Sequence, residues 1–289
     1  MMALLSLSAG IGLAADTSER SAAKDSPLER IVMIGASVTG GFVQSEPFGG
    51  TNTEMHRLSR YVEAALLAPH QPVKNLGSAF LFLQPETVGP NQVEQAAKAD
   101  PTLVVGIDFL FWYCYGEGAT DEERLQRFEK GLKLLENFRC PLVVGDLPDA
   151  SAAVNGMLRP DQMPSHTALD SANRRLKEWA DTRKQVIIVP LSDFMRNGMA
   201  NQTIKIFNYT IPEGKTRALL QRDKLHPSPS GCALIALAIL EGAQTLRSGD
   251  VSKDIRHDAK EVFQIVLNSM KASADAAKPA TATTAPESK

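Results

Sequence analysis

Cysteine is scarce in this chain. Cys114, Cys140 and Cys232 are the only three, too few and odd in number for a disulfide framework. Each lies among apolar neighbours, where a small buried side chain is the expected role. An excess of one charge is also missing: 31 Lys and Arg stand against 33 Asp and Glu, the net charge is −2, and no block of like charge occurs. That balance argues against the cationic face used by nucleic-acid and membrane-surface proteins. No cluster of His, Cys and carboxylates has metal-ligand spacing, so no metal and no other cofactor is expected. The apolar run at the start, "ALLSLSAGIGLAAD" from residue 3, falls short of the about 20 residues that a bilayer span needs, so no stable membrane span is expected. It ends in small residues and reads as a signal peptide over 1–15, which predicts export to a periplasmic or extracellular space, although no Lys or Arg precedes it.

What is present is a strand–helix alternation. Four short β-branched runs recur at 30–35, 102–107, 141–146 and 185–190, and "PVKNLG" at 72–77 is a weaker fifth. None alternates, as expected of strands buried on both faces. Apolar residues three or four apart predict helices at 121–138, where Thr120 and Glu123 form a capping box, and at 165–181; 54–68 and 230–247 also read as helix. This pattern predicts an α/β protein, a parallel sheet with helices on both faces. Residues 16–28 are polar and read as a linker. One domain is expected over 29–271, with an insert at about 191–222 shaped as a hairpin or lid. The Ala/Thr/Pro-rich stretch 272–289 is expected to be a disordered tail.

Ligands of open parallel sheets bind at the carboxyl ends of the strands, which directs attention to "IVMIGASVTGG" at 31–41. Gly35 and Gly40 have phosphate-loop spacing, but Gly41 and Phe42 stand where Lys and Ser or Thr are needed. A dinucleotide turn would need glycine at Ser37. The remaining reading makes Ser37 a nucleophile on a sharp turn, its small neighbours leaving the hydroxyl open and its own N–H facing an oxyanion. Such a serine needs a base and an orienting carboxylate. "RDKLHPSPSG" at 222–231 offers both, with Asp223 three residues before His226 and Ser230 available to cap the following helix. His257 is a rival, since Asp254 precedes it by the same interval, but no proline follows it and its surroundings are charged. His56, His70 and His166 lack such a partner.

The stretches "IGASVTGGF", "VVGIDF" and "DKLHPSPSG" resemble blocks I, III and V of the SGNH (GDSL) hydrolase superfamily. The resemblance implies a three-layer α/β/α sandwich with a mainly parallel sheet of about five strands in flavodoxin-like order. It also implies ester hydrolysis in which Ser37 is the nucleophile, His226 the base and Asp223 its orienter. Two departures stand out. Ala36 replaces the carboxylate that usually braces the nucleophile turn, and Asp108 stands where the family has an asparagine that donates to the oxyanion. An ionised Asp108 has no proton to give; a protonated one in an apolar pocket could donate. Gly77 is the block II candidate donor, with Phe80 as the other position the spacing allows. The aromatic run 109–115 offers Phe109, Trp112 and Tyr113 as a substrate wall, or simply as core. The expectation is therefore an exported serine esterase, lipase or acylhydrolase acting on a small-molecule or carbohydrate ester through an acyl-enzyme. The competing expectation is an altered member of the same fold that binds an acyl or carbohydrate ligand.

Overall fold

The computed structural model describes residues 26–43, 55–117, 120–246 and 252–276. The signal peptide and most of the linker read from the sequence lie outside these residues. Five parallel strands form the main sheet: β1 (Ile31–Met33), β4 (Lys74–Asn75), β5 (Leu103–Gly106), β6 (Leu142–Gly145) and β7 (Val186–Val189). Their order is β4-β1-β5-β6-β7, the flavodoxin-like arrangement in which the sheet switches direction beside its first strand. Register is set by like against like: Val32 faces Val104, Val105 faces Val143, and Val143 faces Ile187. Two short antiparallel pairs complete the strands, β2 (Phe42–Val43) with β3 (Met55–His56), and β8 (Ile204–Ile206) with β9 (Tyr209–Ile211).

The absence of alternation in the strands follows from burial on both faces. Ile31, Met33, Leu103, Val105 and Val143 point into one core, and Val32, Ile34, Val104, Leu142 and Val144 into the other. The first core is closed by α2 (Leu58–Ala65), α8 (Pro229–Gln244) and α9 (Ala259–Ala276); the second by α3 (Pro85–Lys98), α5 (Asp121–Leu135) and α6 (His166–Asp181). The result is a three-layer α/β/α sandwich. Helix α8 is apolar on every side and correspondingly buried along nearly its whole length. Helix α5 starts on the expected capping box: Thr120 Oγ1 accepts from the Glu123 N–H, and Glu123 answers on the Thr120 N–H.

Several details differ from the sequence reading. Helix α3 was not anticipated, because Gly89 and Pro90 lie inside it and its buried side includes Gln92. The cap of α8 is Ser228, not Ser230; its hydroxyl accepts from the Gly231 N–H and Pro229 takes the first helical position, where its missing N–H costs nothing. The insert at 191–222 comprises α7 (Leu191–Met199), the β8–β9 hairpin and a 3-10 turn at Thr216–Leu219. Helix α9 runs through Ala276, into the stretch read as tail, and residues 277–289 lie outside the described ones. Among the described residues no helix is long and apolar enough to cross a membrane.

Candidate active site

Strand β1 ends at Met33, and its chain turns at Gly35 into α1 (Ser37–Gly40), a single turn that carries Ser37 at its start. Gly35 has φ +150°, and a Cβ there would lie 1.9 Å from Asp108 Oδ1 and 2.7 Å from Thr39 Oγ1. Gln92, missed from sequence, clamps the same residue: its Oε1 accepts from the Gly35 N–H at 3.0 Å and its Nε2 donates to the Gly35 carbonyl at 2.9 Å. Gly35→Ala is therefore expected to cost about 3 kcal/mol, from overpacking against a braced turn and from the backbone angle. Urea unfolding of purified wild type and variant measures it through the midpoint.

The turn places the Ser37 hydroxyl 2.8 Å from His226 Nε2. His226 Nδ1 lies 2.7 Å from Asp223 Oδ2, and both side chains of that pair are almost wholly buried. Asp223 is itself held, since its Oδ1 accepts from the N–H groups of Leu225 (2.9 Å) and His226 (3.0 Å). Lys224 adopts φ +59° between them, which curls the loop so that side chains three residues apart can meet. Burial pushes the Asp223 carboxyl up, but the contact with His226 and the two N–H bonds outweigh it and hold the group below the ordinary carboxylate range. A carboxylate only accepts, so Nδ1 carries the proton toward Asp223 and Nε2 is left to accept from Ser37. Phe42 lies against the imidazole face, ring centres 5.0 Å apart at 23°, and limits its rotation.

The other histidines are placed elsewhere. His56 is buried with Nδ1 2.8 Å from the Tyr61 hydroxyl, His70 meets Glu63, and His166 pairs with Asp149 on the surface. His257 is exposed on the segment before α9.

Both block II positions, Gly77 and Phe80, and the Asp108 carboxyl are engaged by the protein itself. The Gly77 N–H donates to Asn75 Oδ1 at 2.8 Å, and Asn75 in turn donates to the Thr39 carbonyl and Ser59 Oγ, so this N–H is committed to the framework. The Phe80 N–H turns onto Ser78 Oγ at 3.3 Å. Asp108 faces the nucleophile turn: Oδ2 accepts from the N–H groups of Val38 (2.8 Å) and Thr39 (3.3 Å), and Oδ1 accepts from the Thr39 hydroxyl (2.7 Å). It is the carboxylate brace that Ala36 does not supply. The Ser37 N–H makes no hydrogen bond to any described residue and stays available as a donor.

Burial raises the Asp108 carboxyl above its ordinary value, against the opposing pull of the Thr39 hydroxyl and the backbone N–H groups of the turn. The folded chain therefore keeps this proton to higher pH than the unfolded chain does. Stability from this group falls as pH rises above the unfolded value of about 3.9. Asp108→Asn keeps an acceptor for the turn and removes the charge. It is expected to melt higher than wild type at pH 7, with the difference closing toward pH 4, and, under the hydrolase function proposed below, to turn over substrate at least about tenfold faster because the new amide has a second proton for the oxyanion. Melting curves at the two pH values and initial rates check both parts.

Trp112 lines a cavity of about 70 Å³ that also contains Ser37, Asp108 and His226. Phe109 and Tyr113 do not line it. The run after β5 turns into the short helix α4 (Phe111–Cys114), which sends Phe109 and Tyr113 into the core against each other; the Tyr113 hydroxyl donates to the Pro85 carbonyl at 2.8 Å. Phe111, not Phe109, joins Trp112 at the cavity. Among the described residues no group of His, Cys, Asp and Glu could hold a metal ion.

No family model matches the chain, and no curated protein matches it. Solved structures do. A gut microbial diltiazem-metabolizing enzyme aligns over 74% of this chain and 46% of its own, with 14% identity and TM-score 0.47. A candidate acylhydrolase from Bacteroides fragilis aligns over 82% of this chain and 100% of its own, with 17% identity and TM-score 0.46. A lipase/acylhydrolase from Enterococcus faecalis aligns over 77% of this chain and 100% of its own, with 17% identity and TM-score 0.50. The chain thus shares the mainly parallel, helix-flanked α/β fold of that lipase/acylhydrolase.

Proposed function

We propose that this protein is a serine hydrolase of SGNH type that cleaves carboxylic esters through an acyl-enzyme. The observation that carries the reading is the hydrogen-bonded row from Ser37 through His226 to Asp223, at 2.8 and 2.7 Å. His226 Nε2 takes the hydroxyl proton as Ser37 Oγ adds to the ester carbonyl. The tetrahedral intermediate collapses, the alkoxide leaves with the proton held by His226, and the acyl group remains on Ser37. Water, deprotonated by the same nitrogen, adds to the acyl carbon; the acid departs and Ser37 regains its proton. Asp223 keeps the imidazole in the accepting tautomer and stabilises the imidazolium. The Ser37 N–H donates to the oxyanion. With Gly77 otherwise engaged and Asp108 a carboxyl, this site holds fewer donors than the family pattern, and one missing donor costs roughly a hundred- to a thousandfold in rate.

That shortage favours a second reading, a ligand-binding member of the fold that does not turn over. Reaction with a fluorophosphonate separates the two. The hydrolase reading expects a stoichiometric adduct whose mass maps to the peptide carrying Ser37. An unmodified chain that is nonetheless thermally stabilised by a fatty acid or a sugar supports the ligand-binding reading instead.

A further inference from the structure

The cavity beside Ser37 is small. A cavity of 150 Å³ admits benzene, about 25 Å³ for each ring carbon. On that scale the about 70 Å³ here holds about three non-hydrogen atoms. Its walls are Ile107, Trp112, Leu191, Phe194, Met195 and Ile235. Ile107, Trp112, Phe194 and Ile235 are buried side chains packed into the two cores, and Met195 is buried beside them, so widening the space on this side disturbs core packing. Leu191 is fixed from behind, since a Cβ at Gly145 would lie 2.5 Å from its Cδ1. Asp146 also reaches the cavity, but one carboxyl oxygen accepts from the Ser192 N–H at 2.7 Å and the other from the Ser192 hydroxyl. Its hydrogen-bonding capacity is turned to α7, and the wall stays apolar.

The chemistry decides which half of the ester enters. The alcohol must leave before water can add, whereas the acyl group stays bonded to Ser37 throughout the intermediate. A narrow apolar space beside the hydroxyl suits the half that stays. We infer that the enzyme takes acyl groups of two or three carbons, acetyl and propionyl, with the alcohol half outside the cavity. This rests on the ester hydrolase reading above.

Hydrolysis of p-nitrophenyl acetate, propionate, hexanoate and octanoate by the wild-type chain provides the test, with Phe194→Ala and Met195→Ala run alongside. The expected result is a kcat/KM that falls at least tenfold between propionate and hexanoate, and a smaller fall in whichever folded variant removes wall atoms. A wild-type kcat/KM that is flat or rises to octanoate overturns the inference while leaving the hydrolase reading intact, and it does so even if neither variant folds. No turnover of any ester, together with no fluorophosphonate adduct at Ser37, removes the hydrolase reading and this inference with it.

Discussion

Ser37→Ala is expected to bring ester turnover down to background, a loss of roughly ten-thousand- to a millionfold. Its hydroxyl stands 2.8 Å from His226 Nε2, and the other nitrogen of that ring is held by Asp223. The three cysteines offer no substitute: burial pushes their thiols up, to about 11 for Cys140, about 12 for Cys114 and further for Cys232, so none supplies a thiolate near neutral pH. The variant loses one hydrogen bond, worth about 1 kcal/mol, and is expected to remain folded. Steady-state rates on p-nitrophenyl acetate, with circular dichroism as the control, make the measurement. Activity retained in a folded Ser37→Ala chain would place the nucleophile elsewhere.

Asp223→Asn is the second large effect, roughly a ten-thousandfold loss in kcat. The asparagine oxygen can still accept from the Leu225 and His226 N–H groups, so the loop is expected to keep its shape. Its amide would present a donor to His226 Nδ1. The imidazole would then carry its proton on Nε2, aimed at Ser37, and could not accept from the hydroxyl. A stability signature accompanies the rate. The Asp223 carboxyl is held below the ordinary range, so the folded chain gives up this proton more readily than the unfolded chain does. Its contribution is fully present above the unfolded value of about 3.9 and is lost as pH falls through the lower folded value. The wild type is expected to lose its melting-temperature advantage over Asp223→Asn on acidification below about pH 4. An equal gap at pH 3 and pH 7 would contradict the pairing with His226.

Much of the sheet was legible because its chemistry is local. Strands β1, β5 and β6 are buried on both faces, and edge strand β7 is half-buried between the same two cores, which leaves near-continuous β-branched runs in the sequence. Edge strand β4 is short and includes Lys74 and Asn75, so its signal was weak. Helix α9 was hidden by a charged approach; its buried core contacts are Val262, Val266 and Met270 at intervals of four, with Ala259 and Phe263 partly buried beside them. At the candidate site, the juxtaposition of Ser37, His226 and Asp223 follows from residue types within short segments. Gly77 and Asp108 could not be placed this way, because what matters is the partner each group chooses. The Gly77 N–H goes to a side chain two residues away, and the Asp108 carboxylate to a turn 70 residues earlier. Phe109 and Phe111 exchanged roles because a helical turn replaced the extended chain that an aromatic run after a strand suggests.

The hydroxyl and the imidazole lie 189 residues apart in the chain, one at the exit of the first strand and the other just ahead of the helix that caps off the first core. During synthesis the N-terminal portion carries its serine without a base for most of the time the ribosome is at work. On the proposed mechanism, hydrolysis waits until the segment that carries His226 and α8 has emerged and docked. Onset of hydrolysis in a translation reaction would serve as a clock for completion of the fold.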